Sequence, residues 1–176
     1  MAHRVGQLED WIRDVPDFPR PGVVFKDITP LLADAAAFAA CVDALAGHFA
    51  DCGVDKVFGV EARGFIVAAP VATRLSAGFV PLRKPGKLPW KVEAQEYALE
   101  YGIDQLEVHA DALTPGERVL IIDDVLATGG TAAAAAHLLS RLGGVPVGVG
   151  CIIELAFLGG RGKLPGLDVV SLVEYG

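Results

Sequence analysis

The run Val119-Leu120-Ile121-Ile122-Asp123-Asp124-Val125-Leu126-Ala127-Thr128-Gly129-Gly130-Thr131 decides the fold. Its four unbroken aliphatic residues predict a strand buried on both faces of a parallel sheet. Asp123 and Asp124 follow where that strand is expected to leave the sheet, the edge at which open α/β folds bind ligands. A turn of small residues comes next, then alanine-rich Ala132 to Leu142, which is good helix-forming sequence. The turn feeds a helix N-terminus, whose unpaired N–H groups and dipole favour an anion. Gly129 and Gly130 admit close backbone approach to a phosphate, and Thr128 and Thr131 add hydroxyl donors. Acceptors for sugar hydroxyls thus stand beside donors for a phosphate, a combination suited to a ribose 5-phosphate.

Outward from this run, helix and strand signals alternate, which predicts an α/β fold. Asp34 is placed to cap a helix reaching about Cys52, with Phe38, Val42, Leu45 and Phe49 on one face. Val57 to Val60 reads as a strand, Phe65 to Ser76 as a helix, and Phe79 to Arg83 as the next strand. Val145 to Ile153 and Val169 to Val173 complete the expected sheet. An amphipathic start carrying Leu8, Trp11 and Ile12 precedes proline-rich Val15 to Pro30, expected to be extended and irregular. Lys84 to Gln95 reads as a mobile loop, and Tyr97, Leu99, Tyr101, Leu106 and Val108 as a hairpin turning near Gly102. No repeat or linker divides the 176 residues, and a single domain is expected over 1–176.

Composition narrows the class. A 52% hydrophobic content excludes a disordered chain. No apolar run is read as long enough to span a membrane, and Val5 to Val15 is too charged for a signal-peptide core, so no membrane partner is expected. Cys41, Cys52 and Cys151 are odd in number and widely spaced, which suggests neither disulfides nor a zinc site and points to a reducing cytoplasm. A net charge of −7 argues against a nucleic-acid surface.

Three further segments carry chemistry. Glu61-Ala62-Arg63-Gly64 forms a second strand-end turn. There Arg63 is either a surface charge or a guanidinium fork for an oxyanion such as diphosphate. Arg83-Lys84-Pro85-Gly86-Lys87-Leu88-Pro89 puts three cations in one loop, either a solvated face or a lid. By periodicity Phe18 and Phe25 read as core anchors rather than as a binding platform.

The thirteen-residue run resembles the phosphoribosyl-pyrophosphate motif of the type I phosphoribosyltransferases. With Pro21-Gly22-Val23-Val24-Phe25-Lys26-Asp27-Ile28, Ala62-Arg63-Gly64-Phe65, Arg83 to Pro89 and Leu99-Glu100-Tyr101-Gly102, the chain resembles the adenine phosphoribosyltransferase subfamily over nearly its whole length. The resemblance implies a central, mostly parallel sheet flanked by helices, a small N-terminal hood over residues 1–33, and a flexible catalytic loop over 84–100. It implies a homodimer that joins adenine to 5-phosphoribosyl 1-diphosphate, giving AMP and diphosphate with Mg2+. Position by position, Ala127, Thr128, Gly129, Gly130 and Thr131 would hold the 5-phosphate, and Asp123 and Asp124 the ribose diol. Arg63, Lys84 and Lys87 would bind diphosphate. Glu100, with Tyr101 beside it, would be the catalytic acid/base, and Val24, Phe25, Lys26 and Leu155 would line the base pocket. No direct protein ligand for the metal is assigned, since Mg2+ is expected to arrive on the diphosphate. The family often has a threonine in the loop where this chain reads Trp90-Lys91-Val92, and arginine is also common in place of Lys26.

Three rival readings carry distinct signatures. A non-catalytic nucleotide sensor of the same fold would show a basic patch and lack the lid carboxylate. A transferase for hypoxanthine, xanthine or orotate would share everything except the adenine-like segments. A metal-dependent phosphatase on Asp123-Asp124 would need further clustered carboxylates.

Overall fold

The aliphatic run around Ile121 lies in the middle strand of a five-stranded sheet, parallel throughout. The computed structural model describes residues 5–98 and 102–176. In chain order a 3-10 helix, Val5–Trp11, leads into β1 (Arg13–Pro16), β2 (Val24–Asp27), α1 (Thr29–Ala33) and α2 (Ala35–His48). Then come β3 (Lys56–Val60), α3 (Arg63–Arg74), β4 (Gly78–Leu82), β5 (Val92–Ala98) and β6 (Ile103–His109). The signature strand β7 (Arg118–Leu126), α4 (Gly130–Arg141), β8 (Val145–Leu155) and β9 (Asp168–Tyr175) complete the chain.

The strands lie in the order β4-β3-β7-β8-β9. From β3 the chain moves outward through β4, and from β7 it moves the opposite way through β8 and β9. The β3/β7 boundary is therefore the topological switch point, where the loops at the carboxyl ends of the two strands diverge and leave a crevice.

Alternation along β7 builds the two halves of the core. Leu120 and Ile122 pack with Leu45, Val67 and Ile152 beneath α2 and α3. Val119 and Ile121 pack on the other side with Leu138, Leu139 and Cys151 beneath α4. Asp34 caps α2 as its sequence position implies, its side chain accepting from the N–H groups of Ala36 and Ala37. Val42, Leu45 and Phe49 are buried, and Phe38 is half-buried beside them.

Several expectations are corrected. The strand does not end at Ile122. Asp123 pairs with Cys151 and Leu126 with Glu154, so both carboxylates sit inside the last turns of the β7 ladder. The segment Val15 to Pro30 is extended but more regular than expected: β1 and β2 form an antiparallel hairpin, Val15 opposite Phe25, only the connection from Asp17 to Val23 is irregular, and α1 follows. The irregular lid segment stops at Lys91, because Val92 through Ala98 are laddered to β6, from His109 back to Ile103. Phe18 is half exposed and packs edge-on against Phe25 at 5.2 Å, so it is no core anchor. The 18-residue stretch Ala35–Cys52 is long and apolar enough to cross a membrane by length and composition. Its helix breaks at Phe49 into a 3-10 turn, and its buried side chains belong to the sheet core.

Candidate active site

Two strand-end turns meet at the switch point. β3 delivers Glu61, Ala62 and Arg63, and β7 delivers Asp123, Asp124 and the loop to α4. Gly64 opens α3 against the second of these, since a Cβ there would lie 2.9 Å from Asp123 Oδ1. A glycine is thus required for the two turns to touch.

The loop from Ala127 to Thr131 lines a cavity of about 150 Å3 together with Asp123 and Val125. Gly129 has φ +76° and serves as the N-cap of α4, which has no side-chain cap. The first N–H groups of the helix are left for a ligand, as an anion site requires. The loop packs backbone to backbone on the turn after β8: a Cβ at Gly129 would stand 2.2 Å from Gly160 O, and one at Gly160 only 2.1 Å from Ala127 O. On the other side, a Cβ at Gly130 would meet Ala98 O at 3.0 Å, so the β5–β6 hairpin closes on the same helix end.

The carboxylate pair is electrostatically uneven. Asp123 Oδ1 accepts from the Asp124 N–H at 2.8 Å. Burial, and then the charge of Asp124, push the Asp123 carboxyl well above its ordinary range. Arg63 Nε lies 2.5 Å from Asp124 Oδ2. The contact is off the hydrogen-bond line, which leaves Asp124 Oδ2 buried without an aligned donor. Among the described residues no three His, Cys, Asp or Glu side chains group as a metal cage. A carboxylate pair with one unaligned oxygen instead fits a hard cation that brings phosphate oxygens and water with it.

The cations of the Arg83 to Pro89 loop are engaged by carboxylates. Lys87 Nζ lies 2.5 Å from Glu61 Oε1, the Lys84 N–H donates to Glu61 Oε2 at 2.9 Å, and Arg83 reaches both oxygens at 3.4 Å. Burial alone would raise the Glu61 pKa, but these donors outweigh it and bring it down to about 2. Lys84 Nζ donates to Tyr97 Oη at 2.7 Å and to Asp104 Oδ2. Burial works against the Lys84 charge, yet these partners hold its pKa above the usual lysine value.

The β1–β2 hairpin meets the cleft through Phe25, whose ring centroid is 5.0 Å from the Arg63 guanidinium carbon. Phe25 also borders a pocket of about 220 Å3 with Val15, Phe18 and Asp27. Val24 and Lys26 lie on the opposite face of β2. Val24 is half exposed, while Lys26 pairs with Asp14 at 2.6 Å and stands 3.8 Å over the Tyr175 ring. Leu155 ends β8 opposite Tyr175.

The structure thus brings together Arg63, Asp123, Asp124, Ala127 to Thr131 and Phe25. Lys84 and Lys87 reach the edge of the same turn region, already paired. It does not bring the side chains of Val24 and Lys26 to the Phe25 pocket. Glu100 and Tyr101 lie outside the described residues. Sequence reasoning passed over Glu61, Asp104 and Gly160. Only Glu61 carried a signal, its place in the strand-end turn already singled out for Arg63.

Residues 27–164 match the phosphoribosyl transferase domain family. The adenine phosphoribosyltransferase of Acidothermus cellulolyticus is 61% identical over 93% of this chain and 92% of its own. The crystal structure of adenine phosphoribosyltransferase from Thermoanaerobacter pseudethanolicus superposes with a TM-score of 0.95 at 49% identity, covering 98% of this chain and all of that one. The Saccharomyces cerevisiae enzyme, crystallised with adenine and an imino-altritol bisphosphate, gives a TM-score of 0.90 at 37% identity, covering 96% and 97% of the two chains.

Proposed function

The chain belongs to the adenine phosphoribosyltransferase family, and on that premise we propose that it joins adenine to 5-phospho-α-D-ribose 1-diphosphate in purine salvage, giving AMP and diphosphate. One observation carries the reading. Asp123 and the small-residue loop at an uncapped helix N-terminus line one cavity at the switch point, and Asp124 follows Asp123 at the same strand end. Carboxylates accept from the ribose diol, and the Ala127 to Thr131 loop donates to the 5-phosphate, so the sugar is held at both ends.

Breaking the bond from ribose C1 to diphosphate puts positive charge on the sugar and negative charge on the leaving group. Arg63, Lys84 and Lys87 bind that diphosphate once it displaces Asp124, Asp104 and Glu61 as their partners. Asp123 and Asp124 are the carboxylates that would hold, through water, an Mg2+ arriving with the diphosphate. When bound, the metal neutralises leaving-group charge. Glu100, with Tyr101 beside it, takes up the proton that adenine loses as its N9 bonds to C1. Phe25 stacks against the base, while Val24 and Lys26 present backbone N–H and C=O groups to its edge, and Leu155 closes the pocket. Closure of the 84–100 segment keeps water from the electrophilic sugar.

The whole of 1–176 acts as one domain, with residues 1–33 as the hood. A cytoplasmic homodimer, without nucleic-acid or membrane partners, completes the proposal. The test is to incubate the protein with phosphoribosyl diphosphate, Mg2+ and each base in turn. AMP from adenine, with at most trace nucleotide from hypoxanthine, is expected. Nucleotide from hypoxanthine or orotate but none from adenine would overturn the assignment, and sedimentation as a monomer would remove the dimer.

A further inference from the structure

The Ala127 to Thr131 loop carries only small side chains, so its shape depends on what packs against it. The structure shows what lies against it. Ala127 and Gly129 touch Gly160 so closely that a methyl group on either glycine would collide with backbone. Gly160 begins a short 3-10 turn, Gly160–Lys163, that follows β8. The next residue, Arg161, ties this turn to the sheet.

The Arg161 guanidinium grips Glu154 with two N–H groups, Nε to Oε1 at 3.0 Å and Nη2 to Oε2. Nη1 donates to the Val169 carbonyl at 2.6 Å, and Nη2 approaches Ser171 Oγ at 3.5 Å. The Ser171 hydroxyl donates to Glu154 Oε2 at 2.8 Å. Glu154 is almost wholly buried, and it stands opposite Leu126, the last residue of β7 before the loop. Three segments, the β8 end, the β9 start and the Gly160 turn, are therefore fastened to one another beside the point where the phosphate loop departs. The fork-to-carboxylate arrangement fixes direction as well as distance, which a single ammonium contact would not do.

We infer that Arg161 and Glu154 are positioning residues for the ribose 5-phosphate site, acting through the backbone contact of Gly160 with Ala127 and Gly129. This rests on the phosphoribosyl reading of that loop. Neither side chain borders the cavity that Asp123 and the loop enclose. Their effect is on where the loop N–H groups point, so it falls on phosphate-bearing ligands and spares the base.

The test uses the full chain and two probes, ribose 5-phosphate and adenine, titrated calorimetrically, with thermal melts as a check on folding. Arg161→Lys keeps the charge but loses the fork. The pair Glu154→Leu with Arg161→Met removes both charges, so that neither is stranded. Gly160→Ala drives a methyl into the loop directly. A displacement on the scale of an ångström weakens such sites by about tenfold to a hundredfold. That loss is expected for ribose 5-phosphate in the double variant and in Gly160→Ala, with a smaller loss in Arg161→Lys and adenine affinity within about twofold of the parent. In turnover the same variants raise KM for phosphoribosyl diphosphate more than they lower kcat. Parent-like ribose 5-phosphate binding in Arg161→Lys and in either other variant would overturn the inference. So would equal loss of both probes in step with a lowered Tm, which marks a merely structural network. Failure of the parent itself to bind ribose 5-phosphate would sink the phosphoribosyl reading instead, and this inference with it.

Discussion

Lys87 Nζ lies 2.5 Å from Glu61 Oε1, a contact that spans 26 residues of sequence and folds the cationic loop onto the turn carrying Arg63. With Arg83 and the Lys84 N–H it surrounds one carboxylate with donors. Glu61 is thus the anion that these donors hold in this structure. The pKa of Glu61 falls from 4.5 to about 2 on folding, so its contribution to stability is complete above 4.5 and disappears as the pH drops toward 2. Glu61→Gln should melt below the parent at neutral pH, with the gap closing across that acid window. The loop from Lys84 to Lys91 should also be cut faster by protease in the variant. A melting gap indifferent to pH would show that the charge is not the source.

Asp123 carries the opposite sign. Its folded pKa is raised, so its contribution is favourable below the ordinary aspartate value of 3.8 and is lost as the pH climbs through the folded value. Burial thus makes the charged form of Asp123 costly to the fold. Asp123→Asn keeps the oxygen that accepts from the Asp124 N–H, and should melt at or above the parent temperature at neutral pH. Losing a charge-assisted bond to the ribose diol costs roughly 1.5–3 kcal/mol, about a tenfold or greater loss of phosphoribosyl diphosphate affinity. Parent-like affinity, or a clear fall in Tm, would contradict this account.

Neighbouring glycines should differ in kind. Gly129 combines φ +76° with a 2.2 Å approach to Gly160 O, so Gly129→Ala must distort the phosphate loop itself. Gly130 has no such dihedral demand, and its Cβ would meet Ala98 O at 3.0 Å and the Tyr97 ring at 3.3 Å. The hairpin can give way there by a few tenths of an ångström. AMP affinity is therefore expected to collapse in Gly129→Ala and to fall only modestly in Gly130→Ala, where protease sensitivity of the β5–β6 hairpin should rise. Calorimetry with AMP ranks the two, and the reverse ranking would move the phosphate contact to Gly130.

Much of this layout was legible before any coordinates. Runs without a polar residue at Val57 to Val60, Val119 to Ile122 and Val145 to Ile153 are the strands of a two-sided core, because only such positions exclude polar residues altogether. The phosphate loop was legible for the same local reason, since its acids, glycines and helix follow one another in the chain. The β1–β2 hairpin was hidden by prolines at its ends, Pro16 included, which read as breaks although an edge ladder tolerates them. The partners of Lys84 and Lys87 were hidden by distance. Glu61 and Asp104 meet these lysines only after the chain has crossed a strand, a helix or a hairpin, and no periodicity records that. The role of Gly160 was likewise unreadable, since a glycine that makes room for another backbone looks the same in sequence as one that makes a turn.

The chemical step gives the last prediction. Glu100 follows β5, whose final residue, Ala98, pairs with Ile103 across the hairpin and turns its carbonyl toward Gly130. That strand therefore runs out beside the helix end proposed to hold the 5-phosphate. As an ordinary hairpin acid Glu100 would be dispensable. As the group that takes the proton from adenine it is not, and Glu100→Gln keeps its shape while removing that capacity. General acid–base help is worth about 10²–10⁴-fold, so kcat should fall by that factor with KM for adenine little changed. Lys87→Ala is the useful contrast. It loses a diphosphate partner rather than a proton acceptor, so its turnover should fall while the pH dependence of what remains follows the parent. In Glu100→Gln the limb of the pH–rate profile that reports the catalytic carboxylate should vanish. A fully active Glu100→Gln enzyme that retains that limb would assign the proton to another residue.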